Sequence, residues 1–272
     1  MKYIAAAGQF YPKLCDVEAN LETMRDLVEE AAGRGAKLVA LPELANTGYE
    51  ANERFTELAE PASPESRSIK AMAELCRKHG LHIAFGFAER DQTVRDLLYN
   101  SVALLGPDGA LAGVYRKVHL FADERKWFRP GCDFPVFATE LGRIGIIVCW
   151  DVSFPEPARV QALRGADVIV VSSCYEKPHA EDWDLMCAAR AIDNVLPVVA
   201  SNRYGRDNVL DFFGHSRILD PLGRVVDSID EDRQGVITGE IDTQLAIRLR
   251  EEYYTFFKDR RPDTFGEICR PM

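Results

Sequence analysis

The sequence predicts an α/β fold in which large mixed sheets face each other with helices outside. Three observations lead there. Short apolar runs alternate with amphipathic stretches of helical period. Tight hairpin signals interrupt that alternation, so neighbouring strands should run antiparallel as well as parallel. Several runs are apolar at consecutive positions, which calls for cover on both faces.

Taken in order, residues 2–7 and 37–41 are short apolar strands. Between them a helix carries Leu21, Met24, Leu27, Val28 and Ala31 on one face and closes at Gly33 or Gly35. A second helix is predicted from Ser63-Pro64-Glu65, a cap followed by proline at the first helical position. Its apolar face is Ile69, Met72, Ala73 and Cys76, and Gly80 ends it. Strand 81–88 follows. Runs 98–105 and 111–120 flank Gly106-Pro107-Asp108-Gly109, a hairpin signal. Further strands are predicted at 143–149, 167–172 and 196–201, with a helix over 181–194. A last hairpin joins 216–219 to 223–227 through Asp220-Pro221-Leu222-Gly223. Strand 235–240 and a short helix near 243–252 complete the pattern. No internal repeat or linker-like stretch divides the chain, so one domain is expected over 1–272.

The 272 residues are 47% hydrophobic and 28% charged, an ordinary globular composition that excludes disordered and collagenous classes. The formal net charge of −10 makes a poor nonspecific partner for nucleic acid or an anionic membrane. No apolar stretch is long enough to span a bilayer. The N-terminus reads as a first strand rather than a signal peptide, so a cytoplasmic protein is expected. The seven cysteines are scattered, with no metal-ligand spacing, so neither a disulfide framework nor a zinc site is expected.

Cys149 ends an apolar strand and is followed by a turn and a helix. A nucleophile at such a turn is exposed, and the N–H of the next residue, Trp150, points at an attacked carbonyl oxygen. A strand-end cysteine can also be packing. In the run 111–120, period-2 alternation puts Tyr115, Lys117 and His119 on one face. A lysine in a strand is usually an edge or solvent residue, but an ammonium near a thiol lowers the thiol pKa and offers charge to an oxyanion. Glu43 follows a buried strand, where ligand crevices form, though a carboxylate there can also be a solvated loop residue. Glu124 alone would pass as surface. His119 could line a site or serve as a structural hydrogen-bonding residue. Nucleotide-binding glycine patterns and a serine elbow are absent.

Together the residues resemble the carbon–nitrogen hydrolase (nitrilase) superfamily. The resemblance rests on Leu41-Pro42-Glu43, on Tyr115 to Leu120, and on Cys149-Trp150-Asp151 with Phe154-Pro155-Glu156. It extends through Asn46 to Tyr49, Phe128 to Gly131, Ala189 to Asn194, Ser201-Asn202-Arg203, Gly214-His215-Ser216 and Asp259 to Pro262. Lys117 stands 74 residues after Glu43, and Cys149 stands 32 after Lys117. The resemblance implies a four-layer α-β-β-α sandwich of two mixed sheets flanked by helices. It also implies a Glu–Lys–Cys catalytic set of Glu43, Lys117 and Cys149, with Glu124 as a second glutamate. A homodimer or higher homo-oligomer is implied, with the segments after Cys149 and around 181–194 as its interface.

The implied reaction is hydrolysis of a carboxamide through a cysteine thioester, without metal or organic cofactor. Lys117 and the Trp150 N–H are the implied oxyanion donors. Tyr49, Trp127, Trp150, Ser173 and Cys174 are the candidate substrate-binding residues, and Trp127, Phe128 and Trp150 suggest an aromatic pocket. Hydrolases of N-carbamoyl amino acids in this superfamily carry arginines shortly after the nucleophile. Here Val152 and Ser153 stand there, which favours a neutral or cationic small-molecule amide. The alternatives are an N-carbamoyl amine or N-carbamoyl amino acid hydrolase, a nitrilase, and an inactive binding protein.

Overall fold

A computed structural model describes residues 1–270. From the N-terminus the chain runs β1 (Lys2–Gln9), α1 (Val17–Gly33), β2 (Ala36–Ala40), α2 (Phe55–Leu58), β3 (Glu60–Pro61) and α3 (Arg67–His79). It continues with β4 (His82–Arg90), β5 (Leu98–Leu105), β6 (Leu111–Arg116), α4 (Glu124–Trp127), β7 (Val136–Thr139) and β8 (Gly142–Val148). Then come α5 (Pro155–Leu163), β9 (Val168–Ser173), α6 (Ala180–Asn194), β10 (Val198–Asn202), β11 (Tyr204–Arg206) and β12 (Asp211–Phe213). The last elements are β13 (Ser216–Leu219), β14 (Val225–Ile229), β15 (Gly235–Asp242), α7 (Thr243–Glu252) and α8 (Phe256–Asp259).

Two mixed sheets result. The first has the order β15-β1-β2-β4-β5-β6, with β3 beside β4. Its centre, β1-β2-β4, is parallel and its flanks are antiparallel. The second has the order β14-β13-β10-β9-β8-β7, with β8-β9-β10 parallel. Alternation along the strands sorts the layers. Ala5, Ala7, Leu38, Ala40 and Ala84 face the second sheet and pack with Ile146, Val170 and Val199. Their neighbours Ala6, Val39, Ile83, Phe85 and Phe87 face α1 and α3. On the far side Trp183, Cys187 and Ala191 of α6 cover the second sheet. The four-layer sandwich of helices, two sheets and helices expected from the sequence is therefore the observed architecture.

Local differences have local causes. The second helix starts at Arg67, not near Ser63, because Ser63 to Ser66 form a turn in which the Ser66 N–H donates to the Ser63 carbonyl at 3.0 Å. Gly80 ends the helix in the left-handed conformation, as its place predicts. Strand 111–120 stops at Arg116. The Lys117 N–H still pairs with the Asn100 carbonyl at 2.8 Å, after which the chain leaves the sheet. The strand expected at 223–227 begins at Val225, since Asp220 to Gly223 are consumed by the turn. Elements α2, α4, β7 and the ribbon β11–β12 carry too few residues for a periodic signal.

The site follows from this topology. β2, β6, β8 and β9 end on the same side, and Glu43, Lys117, Cys149 and Cys174 lie at or just beyond those ends. This is where an α/β sheet leaves a crevice.

Candidate active site

Glu43 is fully buried in the turn that leaves β2. That turn lies directly on β4: a Cβ at Gly86 would fall 2.5 Å from the Glu43 Cα and 2.5 Å from the Pro42 carbonyl oxygen. Only glycine lets the two backbones approach so closely, and the Gly86 N–H donates to the Pro42 carbonyl at 3.0 Å. Three donors orient the carboxylate. Asn100 Nδ2 (2.6 Å) and Lys117 Nζ (2.7 Å) donate to Oε1, and the Cys174 N–H (2.8 Å) donates to Oε2.

Lys117 has no exposed surface. Its ammonium donates also to Glu124 Oε1 at 2.6 Å, so it stands between two carboxylates. Glu124 is fixed from its other sides by the Tyr49 hydroxyl (2.6 Å) and the Phe121 N–H (3.2 Å). Burial alone would lower the lysine pKa, but Glu124 and Glu43 offset it and hold the ammonium well above its ordinary range. For Glu124, burial raises the carboxyl and Lys117 pulls it back part of the way.

Cys149 takes φ +45°, a left-handed conformation that is costly for a residue with a Cβ. It opens a 3-10 turn, Cys149–Ser153. The turn is clamped by the buried Asp151. Its carboxylate accepts from the Val148 N–H (3.0 Å), the Tyr115 hydroxyl (2.6 Å) and the His119 N–H (3.0 Å), and it pairs with His119 Nδ1 at 2.8 Å. One carboxylate thus ties the cysteine turn on the second sheet to the lysine segment on the first. Burial pushes the Cys149 thiol well above its ordinary range. Glu43 adds to the rise and Lys117 opposes it. Any nucleophilic use of this thiol would therefore need a base to take its proton.

Cys149 lies on a narrow cavity of about 20 Å³, shared with Phe121, Trp150, Cys174, Tyr175, Glu176 and His179. That is room for one water. A larger groove of about 350 Å³ adjoins it at Phe121 and Glu176, which line both. The structure brings Glu43, Lys117, Glu124 and Cys149 into one cluster: Cys149 lines the cavity, Glu124 lines the groove, and Glu43 and Lys117 are buried without lining either. Of the candidate substrate contacts, Trp150 and Cys174 line the Cys149 cavity, while Tyr49 and Trp127 line the groove. Ser173 is buried. Its hydroxyl has no partner elsewhere in the described residues, and it draws the Cys149 pKa slightly down. His119 lies on a separate cavity behind Trp150, stacked on Phe154 with ring centroids 4.0 Å apart. Among the described residues no group of three or more His, Cys, Asp or Glu side chains is arranged to hold a metal.

Sequence reasoning missed Asn100, Phe121 and Glu176, and it named Tyr115 and Asp151 without giving them a role. Asp151 carried a signal, standing two residues after the cysteine in a turn; Asn100 carried none. Arg203 could not be placed from sequence. It is buried and paired with Asp207 at 2.8 Å through two nitrogens, over the Phe212 ring. It is committed there and does not line the cavity or the groove.

Comparison with known proteins agrees with this arrangement. The family model described as carbon-nitrogen hydrolase matches residues 4–251. A probable nitrilase of Schizosaccharomyces pombe is 45% identical, with 100% of each chain covered. An N-carbamoylputrescine amidase of Arabidopsis thaliana is 30% identical, covering 92% of this chain and 90% of the other. The crystal structure of a carbon-nitrogen hydrolase from Helicobacter pylori superposes with a TM-score of 0.90 at 27% identity, covering 99% of each chain.

Proposed function

The chain belongs to the carbon-nitrogen hydrolase family, whose members act on non-peptide C–N bonds, and from that premise we propose that it is an amidase working through Cys149. The observation that carries this reading is the buried Glu43–Lys117–Glu124 chain, with contacts of 2.7 and 2.6 Å, whose charges act on the Cys149 thiol that lines the cavity.

An amide carbonyl is a poor electrophile, and covalent catalysis divides its hydrolysis into two easier steps. Glu43 takes the thiol proton as Sγ attacks the carbonyl carbon. The oxygen that becomes negative is held by the Lys117 ammonium and by the Trp150 N–H, which lies among the first residues of the 3-10 turn and so has no partner within it. The intermediate collapses with cleavage of the C–N bond. Glu43 returns the proton to nitrogen, and ammonia leaves. Water, deprotonated by Glu43, then attacks the thioester, and the acid departs as the thiol is restored. Glu124 holds Lys117 and orients the substrate amide. Tyr49, Trp127, Trp150, Ser173 and Cys174 form the walls against which the acyl part rests. The route requires neither metal nor organic cofactor.

Val152 and Ser153 offer no cation to a substrate carboxylate, and Arg203 is neutralised by Asp207, which favours a neutral or cationic amide. We further propose one catalytic domain over 1–272, a cytoplasmic location, and a homodimer. No helix among the described residues is long and apolar enough to cross a membrane. The exposed Leu163 on α5, with Leu185 and Ile192 on α6, supports pairing through those helices. The test is ammonia release from a panel of amides, N-carbamoyl amines, N-carbamoyl amino acids and nitriles. Turnover led by amides supports the reading. Turnover confined to nitriles, or to carbamoyl compounds as the N-carbamoylputrescine amidase relative suggests, would replace it.

A further inference from the structure

Four carboxylates line the groove, and three are already engaged. Glu124 is held by Lys117 and Tyr49. Glu50 Oε2 accepts from the N–H groups of Val209 (2.8 Å) and Leu210 (3.0 Å). Asp123 pairs with Lys126 at 2.7 Å. The fourth, Glu176, is half-buried at the junction of groove and nucleophile cavity. Its backbone is fixed by a bridge to Phe212 and by the His179 N–H at 3.0 Å. Its carboxylate has no hydrogen-bond or ion-pair partner among the described residues; burial raises its pKa, and only the charges of His179 and Glu50 act on it. His179 is itself turned to Asp182 at 3.1 Å. No Lys or Arg lines either space.

A partly desolvated carboxylate without a partner is unfavourable, and a cation that supplies both charge and donors relieves it. Resting on the amidase reading, we infer that Glu176 is a specificity residue that receives a positively charged amino group on the acyl part of the substrate. The substrate class is then the primary amide of a short amino-bearing acid. The chain between the two groups is short because Glu176 and Cys149 line the same small cavity. Ammonia remains the leaving group, so the chemistry at Cys149 is unchanged and only the partner of Glu176 is added.

The test compares three amides of matched size on the full-length protein: 3-aminopropanamide, butanamide and succinamate. In the wild type, kcat/KM for the ammonium compound should exceed that for butanamide at least about tenfold, with succinamate lowest. In Glu176→Gln the ratio of ammonium to neutral compound should fall to within about threefold of one. In Glu176→Lys, succinamate should overtake 3-aminopropanamide. The exposed Glu181→Gln should leave the wild-type ratio in place. Each ratio is taken within one protein preparation, so partial loss of folding cancels. A wild-type ratio near one, or a preference that survives Glu176→Gln, would overturn the role of Glu176 while leaving amide hydrolysis standing. Failure of the wild type to hydrolyse any of the three would overturn the amidase reading, and this inference with it.

Discussion

Replacing Lys117 by methionine removes a buried cation and leaves two carboxylates facing each other. Both Oε1 atoms lie on one nitrogen, at 2.7 and 2.6 Å, so they are at most about 5.3 Å apart. At an effective dielectric of about 20, two charges at that distance repel by about 3 kcal/mol. Glu124 starts with its carboxyl raised by burial, and loss of Lys117 removes the charge that pulls it down. It therefore takes up a proton in the variant. The folded-state pKa then lies above the unfolded value of about 4.3. Stability gained by such a group is complete below the unfolded pKa and is lost as pH rises through the folded one. The deficit of Lys117→Met relative to wild type should thus be smaller at pH 5 than at pH 8. At about 2 °C per kcal/mol for a chain of this size, the full deficit is roughly 6 °C in Tm. Calorimetry of both proteins at pH 5 and 8 measures it. A deficit equal at the two pH values, or larger at pH 5, would refute the charge-balance reasoning. For catalysis, Lys117→Arg keeps the charge but cannot keep both short contacts, and kcat should fall at least about a hundredfold.

Cys149→Ala should abolish ammonia release without unfolding the protein, and Cys149→Ser should be nearly as inactive. Iodoacetamide should modify the exposed Cys132 and Cys269 without loss of activity, whereas inactivation should follow alkylation of Cys149 by mass spectrometry and still be accelerating at pH 9, because burial raises that thiol. Asp151→Asn weakens the clamp between the cysteine turn and the lysine segment; kcat should drop at least about tenfold with little change in KM, the scale of one charged hydrogen bond of about 1.5–3 kcal/mol, and an unchanged kcat would show that the clamp does not position Cys149. Gly86→Ala forces a Cβ against the backbone of Glu43; a stability loss of about 1–3 kcal/mol with a fall in kcat/KM is expected, and wild-type behaviour in both would mean that the Glu43 turn can move freely. Steady-state kinetics should favour a neutral carboxamide over an N-carbamoyl amino acid of similar size by at least about tenfold, and a reversed order would mean that a cation not seen at the site reaches the substrate.

Much of the architecture was legible because the information is local. Side chains alternate every two residues in a strand and recur every 3.6 in a helix. The strand at 98–105 and the helix near 243–252 were therefore readable to within a residue or two. The alternation that grouped Tyr115 and Lys117 also held, although β6 ends between them, because the Lys117 N–H continues the ladder for one more residue. Short elements failed for the same reason: the four residues of α4 do not complete two helical turns. Glu43 and Cys149 could be nominated because they stand at the ends of apolar strands, where sheets of this kind leave a crevice, and Lys117 because alternation set it on one face of its strand.

The partners of those residues could not be read. Asn100 meets Glu43 across 57 residues, and Asp151 meets Tyr115 across 36, contacts that exist only once strands pair and sheets stack. Glu124 looked like surface because its own segment is polar; packing against Tyr49 and Lys117 buries it. Arg203 could not be placed from the sequence, because its partner Asp207 reaches its guanidinium only through the fold of their loop. Glu176 had no motif at all, and its interest is that every neighbouring carboxylate found a partner while it did not. Residue type and spacing thus determined which elements form and which side chains can do chemistry, because those depend on neighbours along the chain. Which charges are balanced, buried or left open was decided by the tertiary structure, because Coulomb energy and desolvation depend on distance in space.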